Sequence, residues 1–210
     1  MAEQKESCEA TRRVLSVGSF EVNCTVFTAD GGTWVVDPGA DGEMVADAVI
    51  KTGLPLRGIL LTHGHFDHIG GVEALQSRWP DVKVYLNEPD WVMLGNAMNQ
   101  FPPDYPLAPR PKNLVTPIGA KELEFLKVIE TPGHTPGGVC YLWNSTLFSG
   151  DTLFAGSIGR TDFPGGSMTA MRRSLQTLSA LPAETTVIPG HGGVTSIRQE
   201  ISTNPYLAAL

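Results

Sequence analysis

All five histidines of this 210-residue chain stand just beyond a β-like run, beside Gly, Thr or Asp. Three are packed into Thr62-His63-Gly64-His65-Phe66-Asp67-His68. The fourth lies in Pro132-Gly133-His134-Thr135 and the fifth in Pro189-Gly190-His191-Gly192. The first cluster places four N- or O-donor side chains within six positions of one tight loop. Alternate residues of such a loop point apart, so a single cation cannot easily use all four. Two neighbouring cations can, with His63 and His65 on one and Asp67 and His68 on the other. His134 and His191 then supply one further ligand apiece. Asp151, in Ser149-Gly150-Asp151-Thr152, also sits at a strand end, and a carboxylate can bridge two metals. Taken singly these residues say little. A lone loop histidine is usually solvated or satisfied within a core, and Asp151 reads equally well as a helix cap. Asp37, in Val36-Asp37-Pro38-Gly39, reads as a turn residue or as a structural support behind the ligands. The cluster is different, because a loop gains nothing from crowding three imidazoles beside a carboxylate unless a cation binds them.

The pattern around the histidines is that of an α/β layer structure. Strands are expected at 14–17, 22–28 and 33–37, a meander punctuated by Gly18-Ser19 and Asp30-Gly31-Gly32. A helix is expected over 42–51, stopped by Gly53, then a buried strand at 57–61, a helix over 69–79 ended by Pro80, and a strand at 82–86. The second half repeats the theme, with strands at 122–130, 138–143, 146–149 and 185–188. A helix capped by Ser167 is expected over 167–178, and a short one over 195–201. Residues 88–117 are proline-rich and aperiodic, and read as a surface connection or a lid over a site.

Composition sets the outer bounds. With 41% hydrophobic and 18% charged residues the chain can fill one core, and one domain spanning 1–210 is expected. No apolar run approaches the roughly 20 residues a membrane helix requires, so no membrane partner is expected. A net charge of −7 without a basic stripe lacks the footprint of a nucleic-acid binder. The polar, acidic start and an odd count of three cysteines, Cys8, Cys24 and Cys140, lead to the expectation of a cytoplasmic protein without disulfides.

Thr62–His68, His134, Asp151 and His191, in that order, resemble the metallo-β-lactamase superfamily. Asp151 in the bridging slot is similar to the glyoxalase II branch. The segment Gly159-Arg160-Thr161-Asp162-Phe163-Pro164 and the ending Asn204-Pro205-Tyr206-Leu207 resemble the short glyoxalase II-like hydrolases. The resemblance implies an αβ/βα sandwich of four layers. It implies His63, His65 and His134 on a first metal, Asp67, His68 and His191 on a second, and Asp151 between them. The cofactors implied are two divalent metals, zinc first, with iron or manganese also suited. Full-length glyoxalase II carries a C-terminal helical domain for which little chain remains after His191. It also has a basic residue nine positions after the bridging aspartate, matched by Arg160, and a tyrosine two further on, where this chain has Asp162.

The implied activity is hydrolysis of an acyl thioester such as S-lactoylglutathione or a relative. A water activated by the metals attacks, with Asp67 and Asp151 as the catalytic carboxylates and Arg160 as the substrate contact. Phe66, Trp91, Phe101, Tyr105 and Phe163 are candidate pocket walls. A second reading in the same superfamily is a mononuclear-iron persulfide dioxygenase using His63, His134 and Asp151. A third, a purely structural metal, fits poorly with open, loop-borne ligand sets. Oligomeric state is not legible.

Overall fold

The computed structural model describes residues 11–99 and 107–210. A first sheet is formed by β1 (Arg12–Val17), β2 (Val22–Ala29), β3 (Gly32–Val36), β4 (Leu56–Leu60), β5 (Lys83–Tyr85) and β6 (Leu114–Val115), neighbours in that order. The β1–β2 and β2–β3 pairs are antiparallel, and those from β3 to β6 are parallel. A second sheet contains β7 (Lys127–Glu130), β8 (Val139–Trp143), β9 (Thr146–Gly150), β12 (Thr186–Pro189) and β13 (Thr195–Ser196), in the spatial order β13-β12-β9-β8-β7. A small ribbon of β10 (Leu153–Phe154) and β11 (Ser157–Ile158) lies between β9 and β12 in sequence. The helices are α1 (Gly42–Lys51), α2 (Phe66–Ile69), α3 (Val72–Arg78), α4 (Met168–Ser179), α5 (Ile197–Thr203) and α6 (Pro205–Ala208).

The period-two alternation of strand side chains sorts the apolar residues into three cores. Phe27, Trp34, Val36, Leu60 and Tyr85 of the first sheet meet Val139, Tyr141, Trp143, Phe148 and Ile188 of the second. Their immediate neighbours point the other way. Val26, Val35, Ile59 and Val84 pack under Val45, Val49 and Leu75 of α1 and α3. Cys140, Leu147 and Val187 pack under Met171, Leu175 and Leu178 of α4, together with Ile197 and Leu207. The inner strands β3 and β9 are thus buried on both faces, which is why they read as near-continuous apolar runs. The result is four layers, helix, sheet, sheet, helix. Cys24 and Cys140 are unpaired and fully buried, each on the helix side of its sheet, while Cys8 lies outside the described residues.

Local signals explain the element ends. Gly53 takes a left-handed φ of 71° and closes α1, and Ser167 Oγ accepts the Ala170 N–H at 3.2 Å to start α4. Three expectations need correction. The helix expected over 69–79 is divided, because Gly70-Gly71 is pressed against the Pro38–Ala40 turn and the Gly71 N–H donates to Pro38 O at 2.7 Å. The strand expected at 122–130 begins only at Lys127. Its first part is a 3-10 turn, Lys121–Leu123, and the apparent alternation of Leu123 and Phe125 reflects both packing onto the inter-sheet core. Residues 195–196 are a short strand, and the helix starts at Ile197.

Candidate metal centre

β4 runs out at Leu60, and the chain passes through Leu61 and Thr62 into the three-histidine loop. β7, β9 and β12 point the same way within their own sheet, and their ends release His134, Asp151 and His191. The C-terminal ends of strands from both sheets therefore meet at one edge, where α/β folds bind their ligands. The bridge between Val22 and His191 ties the last loop to the first sheet. Asn23 Nδ2 donates to Pro189 O at 3.0 Å and to Gly192 O at 2.9 Å, gripping the His191 loop on both sides.

Seven side chains converge there, in three overlapping groups: His63, His65 and His134; His63, His68 and Asp151; Asp67, His68 and His191. Within each group the donor atoms lie no more than 4.8 Å apart. His65 Nδ1 and His134 Nε2 are 2.8 Å apart. His191 Nε2 is 3.3 Å from Asp67 Oδ2 and 3.4 Å from His68 Nε2. Asp151 lies between the two outer trios, with Oδ1 3.4 Å from His68 Nε2 and Oδ2 3.5 Å from His134 Nε2. Gly190 is required beside it, because a Cβ at that position would lie 2.2 Å from Asp151 Oδ1.

The far nitrogens of several rings are held from outside. His134 Nδ1 bonds Arg160 O at 2.7 Å, His191 Nδ1 bonds Phe20 O at 2.8 Å, and His68 Nδ1 lies 3.0 Å from Asp37 Oδ2. Each contact places the ring's N–H outward and leaves the other nitrogen's lone pair facing the cluster. Asp37 also accepts the Thr62 N–H and hydroxyl, each at 2.7 Å. It is held at a φ of 45°, a conformation costing a non-glycine residue on the order of 1 kcal/mol.

Sequence reasoning missed Asp90. It is fully buried and accepts the Gly64 N–H at 3.0 Å, the Thr135 hydroxyl at 2.7 Å and the Gly137 N–H at 2.6 Å. Its turn, Glu88–Met93, belongs to the stretch read as a connection or lid, so that stretch begins as an anchor. Nothing local marks it, since an acid in the first turn of a helical segment is unremarkable. Trp91 packs on the helix-side core and donates to Leu86 O at 2.9 Å, so it is not a pocket wall. Phe66 is buried edge-on to Phe20, whereas Phe163 edges the cluster, its ring centroid 5.5 Å from that of His65. Phe101 and Tyr105 lie outside the described residues. The Arg160 guanidinium is exposed, stacked 4.1 Å from the Phe163 ring centroid and paired with both oxygens of Asp162.

The pKa shifts run in different directions across the cluster. Burial, aided by the neighbouring imidazoles, holds His63 well below the ordinary histidine value. Burial and His134 bring His65 down to about 4, against an opposing pull from Asp67. Burial also works against protonated His68, but Asp151, Asp37 and Asp67 outweigh it and raise its pKa well above the ordinary value. His191 is raised likewise, its burial outweighed by Asp67 and Asp151. Asp151 is lowered, because His68, His134 and His191 overcome its burial.

His63 Nε2 and Asp151 Oδ1 are buried without a hydrogen-bond partner, an arrangement that costs about 1–3 kcal/mol for each such group unless something binds it. Both atoms sit in a cluster of imidazole and carboxylate donors, the ligand set of divalent zinc, iron or manganese. The cluster suits a dinuclear metal site. A larger groove of about 660 Å³, lined by Trp34, Arg57, Trp79 and Tyr85, opens at the opposite ends of β4 and β5 and touches none of these residues.

Comparison with known proteins agrees with this geometry. The metallo-beta-lactamase superfamily model matches residues 17–191. The probable metallo-hydrolase YqgX of Bacillus subtilis is 33% identical over 93% of this chain and 96% of its own length. The hydroxyacylglutathione hydrolase GloC of Haemophilus influenzae is 32% identical over 92% and 96%. Among solved structures, TTHA1623 in a di-iron-bound form superposes with a TM-score of 0.85 at 35% identity, covering 93% of this chain and all of its own (100%). ETHE1 from Myxococcus xanthus gives 0.74 at 27% identity over 95% and 85%. No helix among the described residues is long and apolar enough to cross a membrane. Four packed layers, strand ends converging on seven donors and a family match that runs from β1 to His191 lead to one assignment: the chain belongs to the metallo-beta-lactamase superfamily.

Proposed function

We propose that the chain is a dinuclear metal-dependent hydrolase of acyl thioesters, S-lactoylglutathione or a related compound among them. The observation that carries the reading is the pair of trios with Asp151 lying between them, and with His63 Nε2 and Asp151 Oδ1 left without a hydrogen-bond partner. His63, His65 and His134 would hold one cation, Asp67, His68 and His191 the other, and Asp151 both. Two such cations, zinc in the first instance, would supply Lewis acidity for an acyl carbonyl and would bring the pKa of a water toward about 7.

The chain's own groups do the positioning. Asp37, Phe20 O and Arg160 O fix the tautomers of His68, His191 and His134, so their lone pairs face inward at no cost at the moment of reaction. Asp67 and Asp151 carry the negative charge of the site and are its proposed catalytic carboxylates. A thiolate leaves with a pKa of about 8.5, so no strong general acid is required. That suits a site whose titratable side chains are all engaged as ligands. Arg160, on the rim above Phe163, is the proposed contact for an anionic group of the substrate. Its bidentate pairing with Asp162 already neutralises much of its charge, which favours a thioester with few carboxylates over a multiply charged thiol.

The test is metal content together with thiol release. Protein purified without added metal should carry about two divalent metals per chain and release thiol from acyl thioesters. One iron per chain, with oxygen consumed in the presence of a persulfide, would replace this reading with a dioxygenase, the alternative for which the likeness to ETHE1 speaks.

A further inference from the structure

The hydrogen bonds of Asp90 go not to the cluster itself but to residues in the loops that carry it. Gly64, whose N–H it accepts, separates His63 from His65, and Thr135, whose hydroxyl it accepts, follows His134. Gly137, the third donor, is in the same loop as His134, and a Cβ there would lie 2.7 Å from the Asp90 carboxyl carbon. The other side of the Gly64 peptide is held too, with Asn99 Nδ2 donating to Gly64 O at 2.7 Å. One buried carboxylate thus joins the loop after β4, in the first sheet, to the loop after β7, in the second. A carboxylate accepts several bonds and donates none, so a single residue can satisfy two backbone N–H groups and a hydroxyl arriving from two directions. Asp67, His68 and His191 receive none of these contacts. Their supports are Asp37, Phe20 O and the Asn23 grip on the His191 loop.

We propose that Asp90 is a positioning residue, which clamps the His63–His65 loop to the His134 loop and thereby sets the affinity of that trio alone for its cation. This rests on the reading of the two trios as metal ligands. Substitution of Asp90 by Asn keeps the shape but turns an NH2 group toward donors, opening the clamp at one or more of its arms.

The experiment measures the two zinc dissociation constants of the holoprotein by competition with a chelator. His134→Ala, run in parallel, identifies which constant belongs to the His63, His65 and His134 trio. Asp90→Asn is expected to weaken that constant about 10–100-fold and to leave the other within about threefold. Thr135→Val, which removes a single hydroxyl, should weaken the same constant by less, and it keeps the test decisive if Asp90→Asn does not fold. A lowered melting temperature with both constants unchanged, or with both weakened equally, in whichever variant folds, would overturn the proposal and leave Asp90 a structural residue. A wild-type protein that takes up fewer than two zinc ions overturns instead the reading of the site on which the proposal rests.

Discussion

The two trios reach the same edge of the molecule by different physical means. His63, His65 and His134 are all imidazoles, the first two with pKa values lowered by burial and by neighbouring rings, and their loops are joined by a side-chain clamp through Asp90. Asp67, His68 and His191 include a carboxylate, and Asp67 and Asp151 raise the pKa of both imidazoles against their burial, while their outer contacts are Asp37 and a backbone carbonyl. An all-imidazole pocket has no charge of its own to draw in a cation, so its affinity depends on prearranged geometry. A pocket with carboxylates has attraction to spare but must shed protons when a cation enters. Asp151, lying between the two, brings a carboxylate to the edge of the all-imidazole set.

Asp151→Ala should therefore erase the difference by disabling both sets. Tight metal binding is lost from both, and thiol release falls by more than the roughly 100-fold that marks the upper range for outer partners. A variant that keeps full activity would end the dinuclear model. Next in size, Asp37→Asn keeps a residue tolerant of the left-handed backbone but removes the anionic partner of His68. Its expected effect is a roughly 10-fold or greater weakening of the Asp67, His68 and His191 constant, the mirror image of Asp90→Asn. Asn23→Ala releases Pro189 O and Gly192 O on either side of His191. It should cost about 1–2 kcal/mol in thermal unfolding and loosen only the second trio. Arg160→Ala should be mildest. Metal binding stays unchanged, because the backbone carbonyl and not the guanidinium holds His134. KM rises by up to about fivefold for thioesters with an anionic thiol portion and not for uncharged ones.

How far the sequence revealed this molecule depended on how far each signal had to reach. The donor residues were legible because their chemistry is local, with four donors in six positions after one strand and single histidines in glycine-flanked loops after two others. Most strands and α1 were legible because periodicity and stop signals act over a few residues. Asp90 was not, since its partners lie 26, 45 and 47 residues away and exist only once two sheets are packed. The division at Gly70-Gly71 was hidden likewise, because the surface that interrupts the helix is the turn after β3. At 122–126, a 3-10 turn with two residues on one core mimicked a strand, an ambiguity that periodicity alone cannot resolve.

The donors also divide by their place in the chain. His63, His65, Asp67 and His68 leave the first sheet, whereas His134, Asp151 and His191 leave the second. A cation held by residues of both groups would be a cross-link between the two sheets, closing loops of dozens of residues in the manner of a disulfide but reversibly. The face between the sheets is already apolar and well filled, so such a cross-link adds to an existing interface. Stability would follow free metal logarithmically, by about 1.4 kcal/mol for each tenfold rise above a site's dissociation constant. Chelators and heat then become interchangeable ways of parting the same two layers.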